Sequence, residues 1–175
     1  MIDFELIEEM RSNKKFGFDS PWEEFIKYIS ILHPSDYGPR IEKRLEKEYS
    51  LLSVPSKEEK GDLTDGRGNY IEIKTSILTH KTSRVNLYQI RWWQPCHYFF
   101  PIFDIRNDNF NVYAFKLTKR QVKEEMKLKI KGPRIKKHEL DEGYIAFYIS
   151  PTDRKFYKWK NEFRKTWQPD SLTIS

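Results

Sequence analysis

A chain of 175 residues with 32 Lys and Arg against 26 Asp and Glu has the size of one domain and a net charge of +6. Aromatics at 15% exclude a disordered composition, and the length suffices to bury a core without disulfide staples. The single cysteine, Cys96, excludes an internal disulfide or a cysteine-based zinc site and points to a reducing, cytoplasmic compartment, while no apolar run nears the roughly 18 residues of a membrane span.

The first ten residues are acidic (Asp3, Glu5, Glu8, Glu9), where a secretion signal would start basic, so no signal peptide is expected. Ser20-Pro21-Trp22-Glu23 reads as a helix start, with Ser20 as N-cap, Pro21 first in the helix and Glu23 closing a capping box. Trp22, Phe25, Ile26, Ile29 and Leu32 share one helical stripe, and His33-Pro34 ends it. A second helix is expected after Gly38-Pro39, with Ile41, Leu45 and Tyr49 facing inward and charge elsewhere. Pro55 and the charged run to Lys60 read as a loop. Residues 61–65 and 69–77 read as paired strands joined by Gly66-Arg67-Gly68. Residues 86–93 read as a short helix. Strands are expected over 97–106 and 110–117, with Asn107-Asp108-Asn109 turning between them. Thr118 and Gln121 form a second capping box, opening a helix to about Leu128. Gly132-Pro133 marks a loop, 143–150 a further strand, and 153–165 a final helix with Phe156, Trp159 and Phe163 on one side. This order predicts an α+β (α/β) protein, a central mixed sheet flanked by helices. One domain spans 1–175, with N-terminal helices over 1–52 and the sheet with its helices over 53–175.

The stretch from Gly61 to Lys74 carries the chemistry. Side chains alternate along a strand, so Glu72 and Lys74 point one way while Ile71 and Ile73 point into the core. With the turn over 66–69, Asp62 lies across from that pair. Two carboxylates that close repel unless a cation sits between them. An oxygen-rich site with few protein ligands suits Mg²⁺, which keeps waters and takes further ligands from substrate phosphates. Lys74 is then placed to contact the phosphate or the attacking water. Asp65 is a rival first acid, but at the turn it is better suited to capping the loop. Glu58 and Glu59 are further acids on a solvated loop.

The charge distribution favours a polyanion. Residues 119–137 hold nine basic side chains against Glu124 and Glu125, and residues 154–165 hold six against Glu162. Residues 79–84 follow the lysine strand directly. They are polar and basic, suited to entering a groove, with Lys81, Thr82, Ser83 and Arg84 as DNA contacts and Arg84 matched to a guanine edge. Lys131, Arg134, Lys136 and Lys137 read as a phosphate clamp that positions without specifying. Trp92 and Trp93 read as core residues, with base stacking as the rival reading. His80, His97 and His138 lack zinc-ligand spacing. Cys96 reads as a small buried apolar residue.

Asp62, nine intervening residues, then Glu72-Ile73-Lys74 resembles the Asp…(Asp/Glu)-x-Lys signature of the PD-(D/E)XK nucleases, and within them the small type II restriction endonucleases. The motif covers about 14 residues, and the order of elements resembles the family over most of the chain. The resemblance implies a restriction-endonuclease-like core and a Mg²⁺-dependent endonuclease, with Mn²⁺ as a substitute. It implies cutting of double-stranded DNA to leave 5′-phosphates, a homodimer, and a cytoplasmic restriction–modification setting in a bacterium, archaeon or phage. Asp62 and Glu72 become metal ligands, the Ile73 backbone carbonyl another, and Lys74 the catalytic lysine. Gly61 stands where the family often has proline. Gln89 becomes the glutamine that orients water or touches DNA, with Asn86 and Arg91 as DNA contacts beside it. Two other readings stay open: a structure-specific repair or junction-resolving nuclease of the same superfamily, and a non-catalytic nucleic-acid-binding protein.

Overall fold

A mixed sheet with helices on its faces forms among the residues that the computed structural model describes, which are 4–82, 84–91, 94–106, 110–130, 144–149, 154–162 and 164–165. In chain order these give α1 (Phe4–Ser12), α2 (Trp22–Ile29), α3 (Pro34–Glu48), β1 (Leu52–Ser53), β2 (Leu63–Thr64), β3 (Tyr70–Ile73) and β4 (Ser76–Leu78). They continue with β5 (Val85–Arg91), β6 (His97–Asp104), β7 (Asn111–Leu117), α4 (Lys119–Ile130), β8 (Tyr144–Ile149), α5 (Arg154–Glu162) and β9 (Arg164–Lys165). The main sheet runs β1-β2-β3-β6-β7-β9, with β4 also paired to β6. β3 and β4 lie parallel to β6, and the other pairs are antiparallel, so the class is α+β as expected. β5 and β8 form a separate antiparallel ribbon. Among the described residues no helix is long and apolar enough to cross a membrane.

β6 explains why the sheet is covered twice. Its sequence is almost continuously apolar, as befits a strand buried on both faces. Phe99 and Phe103 join Phe25, Ile26, Ile29, Ile41 and Leu45 of α2 and α3 in one core. Tyr98, Phe100 and Ile102 join a second core with Val85 and Leu87 of β5, Val122 of α4, and Phe156 and Trp159 of α5.

Several boundaries differ from the sequence reading. The Ser20 side chain does not cap α2. Pro21 is the cap residue, with no side-chain bond, and the Ser20 carbonyl instead accepts from Arg44 Nη2 at 2.6 Å. α3 begins at Pro34, with His33 capping it, so Gly38-Pro39 lie inside the helix. A proline there forfeits one amide bond and leaves the rest of the helix intact. α1 was not expected. It is a nine-residue helix whose inward anchor is Met10, fully buried. The expected strand over 69–77 is interrupted at Lys74-Thr75, where the Lys74 amide donates to the Phe99 carbonyl and Thr75 Oγ1 to that of Pro101. The expected helix over 86–93 is the strand β5. Val85 and Leu87 alternate inward, and a bulge between Leu87 and Ile90 keeps Ile90 in the core. The last helix stops at Glu162, and Lys165 belongs to β9, paired with β7. The Thr118–Gln121 capping box forms as expected, with the Thr118 amide 2.8 Å from Gln121 Oε1. The turn at 107–109, the loop at Gly132-Pro133 and Phe163 lie outside the described residues.

Candidate active site

Gly61 sets the geometry of the first acid. Its φ is +124°, and a Cβ there would fall 2.8 Å from the Ile71 carbonyl oxygen. Proline, with φ locked near −65°, cannot occupy this position, which accounts for glycine where the resembled family often has proline. The chain then passes close to β3. The Asp62 amide donates to the Ile71 carbonyl at 2.8 Å. The Ile73 amide donates to Asp62 Oδ2 at 2.7 Å, so the carboxylate takes the place of a backbone acceptor and is fixed beside the strand. The pairs Leu63↔Ile71 and Thr64↔Tyr70 extend to set Asp62 opposite Glu72. Lys74 Nζ lies 2.7 Å from Glu72 Oε1 and 3.5 Å from Asp62 Oδ2. The three residues therefore meet as the sequence predicted. The Ile71 and Ile73 side chains are buried in the first core.

Asp65 does what a turn residue does. Its Oδ1 accepts from the amides of Arg67 (2.8 Å) and Asn69 (3.3 Å), and its Oδ2 from Asn69 Nδ2 at 2.7 Å. The Asn69 side-chain bond, then the Arg67 amide, hold its pKa below the usual carboxylate value. Glu58 and Glu59 are exposed on a short 3₁₀ turn, with Glu58 paired to Lys60.

Glu72 is the unusual group. It is 1% exposed, and while Lys74 Nζ lies 2.7 Å from Oε1, Oε2 has no hydrogen-bond partner. Burial raises its pKa, the Lys74 charge opposes that rise, and Asp62 adds to it. Glu42, from α3, also borders the site and was not anticipated. Burial foremost, then the Asp62 charge, push it up to about 8, against the pull of Lys74. It follows the buried Ile41 at the edge of the apolar stripe, so in sequence it looks like the solvated charges around it. Burial would lower the pKa of Lys74, but Asp62 and Glu72 outweigh burial and the net shift is upward. Three acids thus share one nearby ammonium, and a cation among them would relieve their mutual repulsion.

Behind Glu72 lies a polar cluster. Its register partner Tyr98 donates to the Arg91 carbonyl at 2.6 Å. The Arg91 charge opposes the rise in the Glu72 pKa. Gln94 is fully buried with its amide nitrogen and oxygen unpartnered. Gln89 lies on β5 at the bulge rather than on a helix, and its side chain is outside what is described. Cys96 is buried as expected, its thiol pushed up to about 12 by burial and then by Glu72.

Lys74 and Glu42 open onto a cleft of about 1310 Å³. Its far rim is a tight turn at 79–82, closed by the Thr82 amide donating to the Thr79 carbonyl at 3.0 Å. Thr79 Oγ1 accepts from the amides of Lys81 and Thr82, both at 3.2 Å. Lys81, Thr82 and Asn86 line this cleft, whereas Arg84 is exposed outside it. Ser83, Trp92, Trp93, Lys131, Arg134, Lys136, Lys137 and His138 lie outside the described residues.

The donor set suits a hard cation. Asp62 and Glu72 offer oxygens, and Oε2 of Glu72 is buried without a partner. Among the described residues no three His, Cys, Asp or Glu side chains converge on one ligation point, so waters and substrate oxygens would complete the shell. No protein-family model matches the chain, and no curated protein matches it.

Proposed function

We propose that the chain is a Mg²⁺-dependent endonuclease with a restriction-endonuclease-like core, acting on double-stranded DNA as a type II enzyme does. One observation carries this reading: a buried glutamate with one oxygen against a lysine ammonium and the other without a partner, beside a second carboxylate. Asp62 and Glu72 would hold the ion, with the Ile73 carbonyl as a further ligand and Mn²⁺ as a substitute. A divalent cation bound there supplies an oriented, acidified water and neutralises charge on the scissile phosphate. The Ile73 amide holds Asp62 Oδ2, leaving Oδ1 for a ligand. Lys74, kept protonated by its two carboxylates, stabilises the charge that builds on the phosphate oxygens. The Lys81 turn and Asn86 lie along the same cleft, where a phosphate backbone would be positioned. A homodimer would present two such sites to a palindromic sequence.

The test is cleavage of supercoiled plasmid with Mg²⁺ and with EDTA. We expect discrete fragments with Mg²⁺ and none with EDTA, and sequencing the fragment ends gives the recognition site. Metal-independent cutting, or full activity in Asp62→Ala and Lys74→Ala, overturns the reading.

A further inference from the structure

The cleft beyond Lys74 has two unlike walls. One comes from α1, the loop after α2 and the start of α3 and is largely apolar, with Leu6, Ile7, Ile31, Pro34 and Pro39 beside the polar Ser30, His33 and Ser35. Ile31 stands 54% exposed there. The other is the 79–82 turn, which presents hydroxyls and the exposed Lys81, with Asn86 below it. On the first wall Gly38 sits inside α3 with an ordinary φ, and a Cβ there would meet nothing within 4 Å. A glycine inside a helix costs roughly 1 kcal/mol against alanine. Neither backbone conformation nor crowding requires it at this point. Its effect is to keep the cleft wall low.

At about 1310 Å³ the cleft exceeds the roughly 300–1,000 Å³ of small-molecule pockets. An unpaired strand fits both its size and its asymmetry. Bases offer apolar faces to one wall, and the sugar–phosphate backbone meets the hydroxyls and Lys81 on the other. We propose that this cleft receives an unpaired stretch of the DNA strand next to the scissile phosphate, with bases against the Ile31–Gly38 wall and backbone along the 79–82 turn. The inference rests on the nuclease reading. It makes the preferred substrate a duplex with an unpaired or extruded segment at the cut.

The experiment is fluorescence anisotropy on Glu72→Gln protein in Mg²⁺. The probes are a fully paired duplex and the same duplex with a central unpaired bubble. The bubble should bind tighter by on the order of tenfold. Gly38→Leu, added to this protein, should raise the wall on which the bases rest and abolish the difference. Its melting temperature should hold or rise, since leucine is the better helix former. Ile31→Glu, on an exposed side chain, should abolish the difference as well. Equal affinity for the two probes overturns the inference, as does a bubble preference that survives Gly38→Leu. Failure of the wild-type protein to cut any DNA would refute the nuclease reading, whereas the bubble preference is read from binding alone.

Discussion

Glu72 and Glu125 are the two buried glutamates among the described residues, 1% and 3% exposed, and the fold treats them in opposite ways. Glu125, on α4, is satisfied: Trp159 Nε1 donates to it at 3.0 Å, and Lys158 pairs with its other oxygen. The carboxylate fastens α5 to α4, while the Trp159 ring stacks near Phe100 and meets Phe115 edge-on to hold α5 on the sheet. Glu72 has one oxygen against Lys74 and the other without a partner, and Asp62 and Glu42 crowd it. Burying an acid is costly unless its oxygens are engaged. Burial alone therefore does not mark a site. Unmet acceptor capacity beside further negative charge does.

The largest expected effects pull this pair apart. Glu72→Gln should abolish cleavage and the Mg²⁺-induced rise in melting temperature, while the metal-free protein keeps or gains stability because a crowded buried charge is gone. Lys74→Ala should lower the cleavage rate by about 10²–10³-fold. Glu125→Ala should do the reverse: the folded protein still cuts, but leaving the Trp159 N–H unpaired costs about 1–3 kcal/mol of stability. Chemical denaturation and plasmid cleavage read both quantities. A Glu72→Gln variant as destabilised as Glu125→Ala would erase the distinction.

Gly61→Ala comes next, because it disturbs the backbone that carries Asp62 rather than any charge. The added Cβ would press on the Ile71 carbonyl at 2.8 Å in a left-handed conformation. We expect a loss of about 1–3 kcal/mol together with reduced Mg²⁺ affinity. Alanine tolerated with full Mg²⁺ binding would show that the hairpin does not fix the first acid.

A smaller effect follows from pH. Glu42 moves from the ordinary 4.5 to about 8 on folding, and Glu72 moves the same way. The folded state then holds protons that the unfolded state has released, so this contribution is full below about 4.5 and is lost as pH rises toward 8. Asp65 and Asp104, whose pKa values are lowered, act only in the acid range below this window, and His97, lowered from 6.5 by burial, opposes the fall only below about 6.5. Lys74, raised from 10.5, stays charged throughout. The metal-free melting temperature should therefore fall between about pH 5 and 8. Mg²⁺ should recover most of the loss at the alkaline end, and Glu42→Gln should flatten the slope. A melting temperature that climbs steadily to pH 8 without metal would contradict the crowded-acid picture.

The hairpin was readable in sequence because its period of two separates Glu72 and Lys74 from Ile71 and Ile73, and a glycine-rich turn fixes what lies opposite. β6 was readable as a long apolar run, and α4 by its capping box. What escaped depended on distant partners. β5 mimics a short helix until β8, more than fifty positions away, pairs with it and imposes a bulge. Glu42 looks solvated until α3 is laid against the hairpin. Gln94 is polar in a loop by sequence, and only the fold buries it. α3 was placed too late because Gly38-Pro39 reads as a break, although a helix already under way from Pro34 absorbs it.

The smallest expected effect decides between the two aspartates. Asp65 lies three residues beyond Asp62 and carries the same charge, so spacing alone does not separate them. The hydrogen bonds do: the oxygens of Asp65 are taken by Arg67 and Asn69, while Asp62 is held by one amide beside Lys74. Asp65→Ala should loosen only the turn, with a slight fall in melting temperature and an unchanged Mg²⁺-induced shift. Asp62→Ala should abolish that shift and the cleavage with it. Were Asp65→Ala to weaken Mg²⁺ binding as strongly as Asp62→Ala, the turn would have to open in the metal-bound state and Asp65 would join the site. The firm closure of the turn by three bonds to one side chain argues that it stays shut.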